Sequence, residues 1–186
     1  MTSRRLMKAS RVALKAYSTK PSFFVLSKTI LDAVKDGNLT GERIEAENLW
    51  NSPNPTVLFC VRRPGWALCR EEGRALSDLQ LSGRLGNARL YGIIKEVAPT
   101  KTAPSDEELG VKIFQEKYFP YPLYRNEDLS FFSFLGNRSL LSQIPWNPLK
   151  WFSRYQNMKH RLADKNIKGN MTGEGLTLGG LYSYIC

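Results

Sequence analysis

Three arginines crowd one cysteine in this chain: Arg62, Arg63 and Arg70 stand close in sequence to Cys69. The thiolate, and not the thiol, is the nucleophile of cysteine chemistry, and neighbouring cations or a helix start lower the pKa at which it forms. An exposed Cys69 is therefore expected to ionise toward neutral pH, with Arg62, Arg63 and Arg70 as thiolate stabilisers. Cys60 lies inside an apolar run and reads as a small core residue. The single histidine, His160, sits in a basic helical stretch far along the chain. Neither a metal site nor a histidine base for Cys69 is expected, and nothing calls for a cofactor.

A cysteine of this kind needs an element that presents it. Thr56 to Val61 is an apolar, β-favouring run, and Arg62-Arg63-Pro64-Gly65 breaks it. A helical pattern with Leu68, Leu76 and Leu79 follows. Strand, tight loop and helix from Pro55 to Asp78 place Cys69 in the first helical turn, where free N–H groups and the helix dipole favour an anion. Everything else is organised around this unit.

Ala88 to Val97 reads as a second strand, parallel to the first through a right-handed crossover. Asp106 to Tyr118 reads as a helix with Ser105 as its N-cap and acidic residues in its first turn. Two prolines within Phe119 to Tyr124 suit an edge or irregular segment. Residues 127–163 carry Phe131, Phe132, Phe134, Trp146, Trp151, Phe152 and Tyr155, and read as a helical insertion packed on the sheet. Lys168 to Gly175 has glycines but not the spacing of a phosphate loop, and Leu176 to Ile185 reads as a strand. Before the organising unit, Phe23 to Lys35 shows a rough helical stripe that Asp36-Gly37-Asn38 would stop.

RRPG at 62–65, Cys69, REE at 70–72, LSDL at 76–79, NLW at 48–50, LYGIIKE at 90–96, KYF at 117–119 and KGNMTGEGLTLGGLY at 168–182 together resemble the peroxiredoxin-like 2 family over roughly residues 45–186. The resemblance implies an α/β fold, a thioredoxin-like three-layer sandwich of the AhpC/TSA antioxidant type, here with an aromatic-rich helical insertion and a shortened C-terminus. It implies a Cys-x-x-Cys at the strand-to-helix junction, of which this chain keeps Cys69 and replaces the first cysteine with Trp66. It also has the 168–175 segment precede a sheet strand near the active site, with Leu178-Gly179-Gly180 where thioredoxin folds carry a cis-proline.

Dithiol exchange needs one thiolate to attack and a neighbour to resolve, so disulfide reductase activity does not carry over to Trp66. The pattern of peroxiredoxins proper is also unmet, since Arg62 and Trp66 occupy its proline and threonine places. The implied function is a thiol redox or antioxidant protein in degenerate form, a one-cysteine peroxidase on Cys69 regenerated by an external thiol reductant or by Cys186. The alternative is a catalytically inactive thioredoxin-like accessory subunit with protein partners in a mitochondrial assembly. A branch of the family reduces prostaglandin endoperoxides, which is thiol-dependent too.

With 186 residues, 42% of them hydrophobic, the chain holds one domain with a core and an appendage. No apolar run approaches the roughly 20 residues of a membrane-spanning helix. Seven basic residues and no acidic one precede Asp32, which leaves only +3 of the +10 net charge for the rest. A nucleic-acid partner is accordingly not expected. In residues 3–17, Arg4, Lys8, Arg11 and Lys15 share one side of a helical wheel and Leu6, Ala9, Ala13, Ala16 and Tyr17 the other. This is the composition of a mitochondrial presequence, with a basic surface helix and a cytoplasmic location as the alternative. The expected organisation is a presequence at 1–20, a helical extension at 21–41, and the thioredoxin-like domain at 42–186 with its insertion at 127–163.

Overall fold

The computed structural model describes residues 23–136, 148–173, 175 and 177–184, with the backbone alone at 23, 148–151 and 154. The basic stretch 3–17, Trp146, the side chain of Trp151 and Cys186 lie outside the described residues.

The organising unit forms as the residue pattern requires. The β-branched and aromatic run Thr56–Cys60 is a strand, β3, and Ala67–Leu81 is a helix, α2. Strand β4, Arg89–Ile94, lies parallel to β3 in the register Thr56↔Arg89 to Cys60↔Ile93. Side chains alternate across β3, so Phe59 faces one core and Leu58 and Cys60 the other. The first core packs under α2, α4 (Val111–Lys117) and α6 (Pro148–Asp164). The second packs under α1 (Phe23–Ser27), the 3-10 turn Ala46–Leu49 and α5 (Ser130–Phe134). Helices on both faces of one sheet make a three-layer α/β sandwich. Of the aromatic residues in 127–163, Phe131 and Phe132 are fully buried in the second core and Phe134 packs against it, whereas Phe152 and Tyr155 on α6 are exposed, so the expected packing on the sheet holds for the first group alone among the described residues.

Six strands complete the sheet, in the order β2 (Asn38–Glu45), β1 (Ile30–Lys35), β5 (Leu123–Arg125), β4, β3 and β6 (Gly180–Tyr184). Here the structure corrects the reading of residues 21–41 as a helical extension. Helix α1 has five residues, and Ile30–Lys35 (β1) and Asn38–Glu45 (β2) form an antiparallel hairpin inside the domain. The domain boundary near 42 therefore falls within β2. Asp36 (φ 51°) and Gly37 (φ 80°) form the two-residue loop between the paired Lys35 and Asn38, a conformation that Asp-Gly supports in hairpins. The apolar spacing of 23–35 suited a helix, but tertiary pairing decided it. Asp32 accepts from Arg43 on β2 and from Arg125 on β5 (Leu123–Arg125), so three strands are joined by one carboxylate.

One expectation resolves and another changes. Pro120 and Pro122 fall in an irregular segment before the ladder begins, as one of the two expected alternatives had it, and the strand that follows, β5, lies between β1 and β4 and not at an edge. The helix expected at 106–118 is divided at Gly110 (φ 80°) into α3 (Asp106–Leu109) and α4. The Asp106 carboxylate then accepts from the N–H groups of Val111 and Lys112, both at 3.0 Å, and caps the second piece. The edge strand β6, Gly180–Tyr184, pairs antiparallel with β3. Among the described residues no helix is long and apolar enough to cross a membrane.

Candidate functional site at the β3–α2 junction

Chain leaving β3 passes through Arg62, Arg63, Pro64 and Gly65, and Trp66 caps α2 in an extended conformation (φ −81°, ψ 134°) without a side-chain hydrogen bond. The Arg70 N–H closes the first turn on the Trp66 carbonyl at 3.0 Å. Cys69 is the third residue of the helix, and its side chain turns inward beneath the loop to join the first core at 3% exposure.

This position reverses the expected acidity. Burial pushes the Cys69 thiol up to about 11. Backbone N–H groups of Arg63 and Arg62 and the Arg62 charge act in the opposite direction, while Glu72 adds to the rise. Cys69 is thus a neutral thiol at physiological pH, and the expectation of an exposed thiolate is corrected. Cys60, in the opposite core, is raised by burial as well, and both are free cysteines.

The three arginines do different things. Arg70 is buried, and its Nε donates to the Pro64 carbonyl at 3.1 Å while a terminal nitrogen donates to the Lys168 carbonyl at 2.6 Å. Its charge braces backbone, and it is not among the groups acting on the Cys69 thiol. Arg62 is buried with its guanidinium 4.4 Å from the centre of the Trp66 ring. Of the three, only Arg62 lends its charge to Cys69. Arg63 offers a backbone N–H, while a terminal nitrogen of its side chain lies 3.7 Å from the Met171 sulfur. Trp66, three residues before Cys69, is half-buried against the core that holds Cys69.

A strap the residue pattern did not reveal closes the junction. The Asn170 N–H donates to the Gly65 carbonyl at 2.8 Å, and the Asn170 amide donates to the Glu108 carbonyl at 2.6 Å. Gly169 lies so close that a Cβ there would overlap the Ala67 nitrogen and approach the Gly65 oxygen. The N-terminal face of α2, where an anion would be stabilised, is covered by 168–170. Only the glycines of this stretch could have signalled such an approach.

Beside α2 an apolar slot of about 370 Å³ is lined by Phe59, Ala75, Leu76, Leu79 and Leu181, with Glu72 as its one carboxylate. Partial desolvation by the surrounding protein, followed by the neighbouring Glu71, raises the Glu72 carboxyl, although the residue as a whole is exposed. His160 is exposed on α6. Among the described residues no group of three or more histidine, cysteine, aspartate or glutamate side chains is placed to hold a metal.

Comparison with known proteins adds a family to this geometry. Residues 103–183 match the family model described as AhpC/TSA antioxidant enzyme, a span that begins after the Cys69 junction. Peroxiredoxin-like 2A of Gallus gallus is 35% identical over 156 residues, covering 82% of this chain and 61% of that protein. The Homo sapiens protein of the same name is 32% identical over 140 residues, covering 74% and 53%. Prostamide/prostaglandin F synthase of Salmo salar is 29% identical over 147 residues, covering 77% and 66%. The chain therefore spans between about half and two thirds of the length of these relatives. The crystal structure of Enterococcus faecalis AhpC aligns with 61% of this chain and 62% of that one at 15% identity, with a TM-score of 0.40.

Proposed function

This chain belongs with the peroxiredoxin-like 2 proteins, thioredoxin-like and of redox type, and on that premise we propose that it is a family member that no longer turns over and acts as a binding scaffold. The observation that carries this reading is Cys69, buried at 3% exposure with its thiol raised to about 11. A peroxidase needs a thiolate that peroxide can reach, and at neutral pH this site offers neither the charge nor the path. Trp66 removes the partner thiol that dithiol exchange would need. The role is that of an accessory subunit for protein partners, and the basic amphipathic stretch 3–17 supports a mitochondrial location for it.

A second reading rests on the two N–H groups of Arg62 and Arg63 that act on the Cys69 sulfur. Such donors stabilise a thiolate or sulfenate once the site is open. In that case Cys69 attacks peroxide, forms a sulfenic acid with release of water, and is restored by an external thiol. Peroxide consumption by the purified chain and by Cys69→Ser separates the two. Equal, near-background rates are expected. Consumption lost in the variant would replace the scaffold with a one-cysteine enzyme.

A further inference from the structure

The largest exposed apolar side chains near the start of the described fold stand together. Phe24 is 73% exposed, Val25 52% and Ile30 47%, and they wall a cleft of about 560 Å³. Scattered apolar residues on a surface are ordinary, whereas a group around a concavity marks a contact surface. The cleft also departs from the rest of the protein in charge. Asp32, Glu127 and Asp128 line it, and Glu45 and Glu47 border it through their ion pairs with Lys28. Against these five carboxylates stand Lys28, Arg43 and Arg125, in a chain whose net charge is +10.

The complementary chemistry lies directly upstream. Residues 1–22 hold six basic side chains and no acidic one, and 3–17 sorts into a basic side and an apolar side of Leu6, Ala9, Ala13, Ala16 and Tyr17. The connection is short. Residues 18–22 span roughly 17 Å at most, and the cleft wall begins at Phe24, one residue into α1. A tether of that length holds the stretch at high effective concentration over the cleft.

We propose that the cleft walled by Phe24, Val25 and Ile30 and rimmed by Glu127 and Asp128 is the seat of the chain's own residues 3–17, apolar side inward and basic side toward the acidic rim. This seating is independent of whether Cys69 reacts. It gives the N-terminal stretch a second role, because while attached it covers an apolar surface, and its removal on import would hand that surface to a partner.

A zero-length carbodiimide cross-linker tests this on the full chain, because it joins Lys8 and Lys15 only to carboxylates in contact with them. At low salt, peptide mass spectrometry is expected to find these lysines joined to Glu127 or Asp128, with yields independent of protein concentration. The yield should fall in about 1 M salt, where the screening length is roughly 3 Å. It should also fall at least about tenfold in the double variant Phe24→Ser/Val25→Ser, the factor one buried apolar side chain is expected to contribute. That variant keeps every cross-linking group and alters only exposed side chains, and unchanged hydrogen exchange in β3 and β4 verifies its fold. Three results would overturn the proposal: no such links at low salt, links spread evenly over surface carboxylates, or links between isotopically labelled and unlabelled chains.

Discussion

In the folded chain, Cys69 should alkylate far more slowly than an ordinary cysteine, and the rate should climb with pH without levelling until near pH 11. The perturbation is pH alone, with iodoacetamide as the reagent. At pH 7.5 a thiol with a pKa of about 11 is ionised to roughly 3 parts in 10,000, against about one part in ten for an unperturbed cysteine. Ionisation by itself therefore slows Cys69 by about 300-fold. Burial at 3% exposure slows it further, because the reagent must wait for the strap 168–170 to open. Peptide mass spectrometry separates Cys69 from Cys60, and a urea-unfolded sample supplies the ordinary rate for the same residue. A rate that is half-maximal near pH 8 and flat above it, in the folded state, would refute the argument. The backbone N–H groups of Arg62 and Arg63 would then outweigh desolvation, and the one-cysteine enzyme would return.

Gly169→Ala should loosen the strap, since a Cβ there meets the backbone of Ala67 and Gly65 and cannot be relieved by a side-chain rotation. An opening made easier by about 1–3 kcal/mol would speed Cys69 alkylation at fixed pH by roughly 5- to 150-fold; an unchanged rate would show that the strap does not gate the thiol. Trp66→Cys would supply an attacking thiol, but release of the mixed disulfide should stay slow, because the resolving thiol, Cys69, is buried with its pKa raised to about 11. A reductase assay that showed prompt turnover would place the fault in the missing cysteine alone. Glu71→Gln should lower stability by about 2 kcal/mol, since the Glu71 carboxylate accepts from Arg161 at 2.8 and 3.0 Å and from Lys165 at 2.7 Å, while both partners remain half-exposed and screened. Burial alone would raise the Glu71 carboxyl, but these two cations hold it below its ordinary value. Its contribution is thus complete above the ordinary carboxylate range and lost as pH falls through the lowered native value. Urea midpoints of wild type and variant should converge in acid, and a gap that stayed constant with pH would contradict the assignment.

The strand, loop and helix around Cys69 were legible because each step has a local cause: a β-favouring run, a proline and glycine that break it, and a helical pattern behind them. The parallel partner β4 followed from the same logic. What local pattern did not supply was partners far along the chain. Residues 23–35 fit a helix by spacing, yet the Asp32 carboxylate bonds Arg43 and Arg125 on the two neighbouring strands, and that pairing fixes a hairpin. The site shows the same division. Sequence placed three guanidinium groups beside Cys69, but the Arg70 charge is taken by the Lys168 carbonyl, from a segment that no periodicity connects to α2. Counting nearby cations predicted acidity; long-range burial set it.

Trp66 at the start of α2 and the burial of Cys69 are better understood as one feature of packing than as two. A helix start offers an anion its free N–H groups, provided that water and ligand can reach them. Here an indole stands at the N-cap place, held under the Arg62 guanidinium at 4.4 Å, and Gly169 lies against the first helical nitrogen. Trp66 packs against the core that holds Cys69, and Gly169 closes on the helix start. The groups that would stabilise charge at Cys69 are therefore still present, as backbone N–H groups from Arg62 and Arg63, but they act in a site from which solvent has been removed. In such a site desolvation disfavours the ion more than two donors favour it. The junction thus sets helix-start donors around a sulfur whose energetics are those of a core, and the proposed loss of turnover follows from that balance.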